Sequence, residues 1–114
     1  PNRAAVFERM GLTALKLGNK EDAEMYFERA VRIDYFREVA LLELGGLKYA
    51  QREYVLAQQF YDSFLEVSEH NAKSLLLGAR LAKVFGDRNK AASLGLQLKK
   101  IYPASDEYLI YSKE

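Results

Sequence analysis

The chain has no cysteine, which excludes disulfides, thiolate nucleophiles and cysteine-ligated zinc and leaves the redox compartment unread. Only two prolines interrupt 114 residues. Helix formers (Ala, Leu, Glu, Lys, Arg) dominate the rest, which predicts an all-α fold. Long apolar runs are missing too: the longest, Leu75–Ala79, has five residues, against about 20 for a helix that crosses a bilayer. Neither sign of charge prevails, and a net charge of +1 argues neither for nucleic acid nor for an acidic partner. The single histidine, His70, falls in an expected inter-helix loop without a serine or cysteine nucleophile pattern, and is read as solvent-exposed. Asp87-Arg88-Asn89 opens like a calcium loop but lacks the glycine and the distant glutamate that such a loop needs, so helix capping is expected there. No glycine-rich phosphate loop and no paired-carboxylate constellation stands out. The expectation is a non-enzyme with no catalytic residue, no cofactor site and no metal site.

What is present is a repeat. Ala23, Ala57 and Ala91 lie 34 residues apart, as do Gly11 and Gly45, Phe7 with Leu41 and Leu75, Ile33 with Val67 and Ile101, and Asn19 with Glu53 and Asp87. A 34-residue helix–turn–helix unit is the tetratricopeptide (TPR) period. The expected fold is an all-α TPR superhelix, an α-solenoid of three helix-pair repeats at 4–37, 38–71 and 72–105, closed by a capping helix at 105–114, all within a single domain. In the first helix, Phe7, Met10, Leu12 with Ala14, and Leu17 form an expected apolar stripe. Gly11 and Gly45 on helix A, and Ala23, Ala57 and Ala91 on helix B, are expected as small residues where the paired helices cross. Gly18 and Gly86 suit the left-handed turn between them, Asn19 and Asp87 suit the following N-caps, and Gly78 and Gly95 suit close helix approaches. Leu75, Leu81, Leu94 and Leu98 are expected core. Ser105-Asp106-Glu107 reads as a helix start with acids in the first turn, and a final helix covers the last apolar face of such an array. Pro1 stands 102 positions before Pro103, at the loop position that closes a unit. With the start at Pro1 rather than Met, this predicts an earlier repeat in a longer array.

TPR arrays bind other chains on the concave face lined by helix A. The positions expected to point there are Leu12, Leu15 and Lys16, then Val39, Leu42, Gly46 and Tyr49, then Lys73, Leu76, Arg80 and Lys83. Such a trough suits an extended or helical peptide with an apolar anchor and an acidic flank. For Val39, Leu42 and Leu76, packing between repeats is an equal reading; Tyr49, Arg80 and Lys83 favour the groove. Charge is uneven along the chain: zero net in the first repeat, −4 in the second and +6 in the third. The basic third repeat raises nucleic-acid binding as an alternative, but its cations fall on several helix faces with no aromatic stacking platform between them, and no nucleic-acid partner is expected. A chaperone-tail carboxylate clamp is not expected either, because Glu8, Leu12 and Leu77 occupy the corresponding positions.

The wording of the later repeats is more specific. "REYVLAQQFYDSF", "NAKSLLLGARLAKVFGDRNKAASLGLQLKKIYP", "SDEY" and the opening "PNRAAVFERMG" resemble the C-terminal half of the type IV pilus biogenesis/stability TPR lipoproteins, the PilF/PilW pilotin family. That resemblance implies a non-catalytic scaffold at the periplasmic face of the outer membrane. It implies a lipid anchor outside this sequence, and as partners the pilus secretin and other pilus-assembly components. The other reading is a generic TPR adaptor for another periplasmic or cytoplasmic complex.

Overall fold

A computed structural model describes residues 2–114, and among these every regular element is a helix: α1 (Arg3–Lys16), α2 (Lys20–Ile33), α3 (Glu38–Ala50), α4 (Tyr54–Val67), α5 (Ala72–Val84), α6 (Arg88–Ile101) and α7 (Asp106–Ser112). Pro1, and the earlier repeat inferred from its spacing to Pro103, lie outside the described residues.

The period is written into the turns. Residues 18, 52 and 86 are each left-handed, with φ of 80° at Gly18, 63° at Arg52 and 79° at Gly86. At each, the next N–H reaches back to close the helix end: Asn19 N to Ala14 O at 2.8 Å, Glu53 N to Lys48 O at 2.9 Å and Asp87 N to Ala82 O at 2.8 Å. A left-handed residue followed by this long backbone bond stops a helix and turns the chain in few residues. The second helix of each pair then starts at 20, 54 or 88. Its cap is not uniform. Asp87 accepts from Lys90 N at 3.0 Å, whereas Asn19 occupies the N-cap position without a side-chain bond, contrary to the sequence expectation.

The helices fall into two compact units, Pro1–Ser68 and Glu69–Glu114. In the first, α1 packs along α2, α3 along α4, and α2 also lies against α3. Ala14, Ala23, Phe27 and Ala30 form one core with Ala40, Leu44 and Leu47, flanked by the partly buried Phe7, Leu12, Leu15, Tyr26, Val31 and Phe60. Burying one large apolar side chain such as Phe27 contributes roughly 1.5–3 kcal/mol. The buried face of α1 is Ala4, Glu8, Gly11 and Ala14; of the expected stripe, Ala14 is buried and Phe7 and Leu12 pack on the core, but Met10 and Leu17 are exposed. Small residues carry this contact because the Phe27 ring sits against the α1 backbone, where a Cβ on Gly11 would come within 2.6 Å of it. Met10, one residue earlier, is rotated by about 100° from Gly11 and leaves that face. In the second pair, Ala57, Tyr61 and Phe64 are the buried residues of α4.

In the second unit α5 packs along α6, and α7 lies on both. Helix α5 begins with a capping box: Asn71 Oδ1 accepts from Ser74 N at 2.8 Å and Ser74 Oγ accepts from Asn71 N at 2.7 Å. Leu75, Leu76, Ala79, Leu94 and Leu98 form the core, with Tyr102, Tyr108 and Tyr111 packed on it. Leu81 and Ala91 are buried as well. His70 is not the exposed loop residue expected; it is half-buried, with Nδ1 at 2.9 Å from Ser74 Oγ. Ser105 opens α7 by accepting from Tyr108 N at 3.0 Å.

Candidate protein-binding surface

In the first unit, helix α1 contributes Leu12 and Leu15, both half-buried and packed against the core. Lys16, one residue beyond, is exposed. Helix α3 contributes an exposed Val39, a buried Leu42, and Gly46 and Tyr49. A Cβ on Gly46 would meet nothing within 4 Å, so this glycine leaves an open notch in the middle of a helix. Tyr49 stands edge-on to Tyr54, ring centroids 5.4 Å apart. Gly45, next to the notch, is buried. Of the residues for which packing and groove were equal readings, Leu42 is covered and Val39 is not.

An ionic network ties α2 to α3 behind these residues. Lys48 Nζ lies 3.3 Å from Glu24 Oε2 and 3.6 Å from Glu53 Oε2, and Gln51 Nε2 donates to Glu24 Oε1 at 2.5 Å. Burial works against the Lys48 charge, but the carboxylates of Glu24, Glu53 and Glu28 together, Glu24 foremost, more than offset it and hold the ammonium above its ordinary range. A second pair joins α1 to the start of α3: Arg37 Nη2 donates to Glu8 Oε1 at 2.7 Å, and that contact raises the guanidinium above its usual value.

In the second unit the expected groove residues divide. Leu76 is buried, Lys73 and Lys83 exposed, and Arg80 half-buried. Arg80 is gripped by the last residue of the chain: its Nε donates to Glu114 Oε2 at 2.8 Å, and its Nη2 donates to the same oxygen. Lys83 Nζ stands over the Tyr111 ring, 5.2 Å from the centroid. Tyr111 in turn fills the space in front of Gly95, where a Cβ would collide with its hydroxyl. Arg80 and Lys83 therefore face α7.

Two shallow clefts in the first unit had no signal in the spacing analysis. One, of about 270 Å³, is lined by Arg3, Phe7, Arg29, Arg32 and Ile33, with the Arg29 guanidinium 5.7 Å from the Phe7 ring centroid. The other, of about 450 Å³, is lined by Glu28, Val31, Arg32, Tyr35, Leu44 and Phe60. Phe7 and Ile33 lie in apolar columns that the 34-residue period repeats, but Arg29 and Arg32 give way to Ser63 and Glu66 one repeat on, so the chemistry of the first cleft does not recur. Neither cleft gathers a nucleophile with a base. Among the described residues no group of three or more His, Asp or Glu is placed to hold a metal ion, and no helix is long and apolar enough to cross a membrane.

No family model matches the chain. Over all 114 residues it is 48% identical to the type IV pilus assembly protein PilF of Pseudomonas aeruginosa, of which it spans 45%. It is also 28% identical over 94 residues to anaphase-promoting complex subunit 3 of Schizosaccharomyces pombe, covering 82% of this chain and 14% of that one. Among solved structures, Pseudomonas aeruginosa PilF superposes on 97% of the chain with a TM-score of 0.90 at 48% identity, over 50% of its own length. PilW, described as a widely conserved type IV pilus biogenesis factor, superposes on 97% with a TM-score of 0.73 at 25% identity, over 51% of its length. The chain thus spans about half the length of its pilus relatives. Similarity to PilF over every residue of this chain and a helix-pair architecture that matches both structures place it in one family: the chain belongs to the type IV pilus biogenesis TPR proteins represented by PilF and PilW.

Proposed function

We propose that the chain is a non-catalytic, protein-binding scaffold that assists localisation or assembly of the outer-membrane secretin through which the pilus passes, and so pilus formation or stability. The observation that carries this reading is identity of 48% sustained over every residue of the chain with a pilus assembly protein. In this reading the protein works at the periplasmic face of the outer membrane, held there by a lipid anchor outside the sequence. The repeats at 4–37 and 38–71 offer a face of helix A to a partner, while the corresponding face of the repeat at 72–105 lies under α7. Leu12, Leu15, Gly46 and Tyr49 form the apolar part of the binding surface: two half-buried leucines, an open notch and an aromatic wall suit a polypeptide with an apolar anchor. Gly11, Gly45, Ala23, Ala57 and Ala91 serve to bring the paired helices together.

The test is co-precipitation of the pilus secretin and of inner-membrane pilus components, with this chain and with the longer protein side by side. Capture of the secretin by both, weakened by Tyr49→Ala with helicity intact, supports the reading. Failure of the longer protein to capture any pilus component removes it.

A further inference from the structure

We propose that the face of α5 and α6 covered by α7 is a docking site for an acidic, aromatic segment of a partner polypeptide, and that α7 is its internal stand-in. The proposal rests on the reading of the chain as a protein-binding scaffold and names the chemistry that one of its faces accepts.

The contacts under α7 define that chemistry. Arg80 places two donors on one carboxylate oxygen of Glu114, Lys83 stands over the Tyr111 ring, and Gly95 opens the space which that ring fills. Tyr111 sits in the last turn of α7 and Glu114 two residues past its end, and both side chains reach cations of α5. The charges agree. Residues 72–105 carry a net +6, whereas the tail that follows carries −2, so an acidic segment sits on a basic support. Tyr108 and Tyr111 also cover Leu75, Leu76, Leu94 and Leu98. An occupant must therefore bring aromatic area as well as a carboxylate, which a simple anion or a nucleic-acid backbone does not.

Release of α7 is the easy direction of the exchange. The helix has seven residues and buries none of them fully, and helices of this length are marginal without tertiary support. Leu109 and Ile110 remain largely exposed on it. Few buried contacts and a solvent-accessible ion pair mark a segment that opens locally before the rest of its unit. Glu114 also lies 34 positions after Arg80, one full repeat. The tail thus uses the helix A register that Leu12 and Gly46 occupy in the first unit, where a partner segment is proposed to bind.

The probe is a fluorescein-labelled peptide of the sequence SDEYLIYSKE, titrated into the full chain, into a loosened Tyr111→Ala/Glu114→Gln variant, and into that variant carrying Arg80→Glu. The loosened variant is expected to bind at least about tenfold tighter than wild type, and Arg80→Glu to remove the gain. In the unaltered chain, α7 amides are expected to exchange at least about tenfold faster than those of α5 and α6. Equal affinity of wild type and loosened variant, binding indifferent to Arg80→Glu, or α7 exchange in step with α5 and α6 would each overturn the proposal. A concentration-dependent dimer of the loosened variant that excludes the peptide would assign the face to a second copy and equally overturn it. Secretin capture without peptide binding would leave the scaffold reading standing and remove this site alone.

Discussion

Glu8 on α1 caps helix α3: its Oε2 accepts from the backbone N–H of Ala40 at 3.0 Å, while Oε1 accepts from Arg37 Nη2 at 2.7 Å. Arg37 holds the N-cap position of α3 without capping it through its own side chain, so the helix borrows its cap from the preceding pair. Glu8 is buried, and its loss leaves the half-buried Arg37 guanidinium and a helix-end N–H without this acceptor. Glu8→Ala is expected to destabilise the fold by about 2–3 kcal/mol, read as a lowered urea midpoint. Glu8→Gln, which retains an acceptor, should cost less. An unchanged midpoint for Glu8→Ala would mean that water replaces the cap at no cost.

Two glycines on first helices should respond oppositely to the same methyl group. At Gly11 a Cβ would stand 2.6–2.8 Å from the Phe27 ring, and Phe27 is fully buried, so the ring has little room to yield. Gly11→Ala is expected to cost roughly 1–3 kcal/mol through overpacking. At Gly46 the space is open, and alanine should stabilise α3 by about 1 kcal/mol through helix propensity alone. Thermal melts of the two variants check the pair. A stabilised Gly46→Ala that also binds secretin less well would tie the notch to partner approach.

Arg52 holds a left-handed backbone, φ 63°, at the turn position where the other two pairs have glycine. The strain of a Cβ in that conformation is relieved by glycine. Arg52→Gly is therefore expected to raise stability by about 0.5–1 kcal/mol, measured by chemical denaturation. A loss of stability would show that the arginine side chain contributes more than the turn strain removes.

How much of this was legible follows from which features recur. The helix pairs did, because Asn19, Glu53 and Asp87 recur one residue before the starts at 20, 54 and 88; the turn geometry forces that column. The Arg52 turn did not announce itself, since the residue lacks the glycine that marks its equivalents. The Glu8 cap was hidden for a similar reason. Its counterparts, Leu42 and Leu76, are apolar, and α5 caps itself through Asn71 and Ser74, so the partners of Glu8 follow no period. The α1 stripe held at Phe7, Leu12 and Ala14 but misled at Met10 and Leu17, which score as core by hydropathy yet lie off the face that the close crossing at Gly11 buries. The engagement of Arg80 by Glu114 depends on where α7 folds back, which charge counted per repeat does not contain.

His70 makes one half of the structure acid-sensitive. Burial pushes its imidazole below the ordinary value of 6.5, and the Lys90 charge adds to the effect; its Nδ1 meets Ser74 Oγ beside the capping box of α5. On acidification the unfolded chain takes up this proton near pH 6.5 while the folded chain still resists it. Stability is therefore present above that value and falls as pH drops from 6.5 through the lower folded pKa. Urea denaturation of wild type and His70→Gln across pH 5.0–7.5 checks this. The wild-type midpoint should decline below about pH 6.5, and the variant, with nothing to protonate at that position, should show a shallower decline. Lys90→Met removes the repelling charge and should soften the wild-type decline, leaving the part that burial alone imposes.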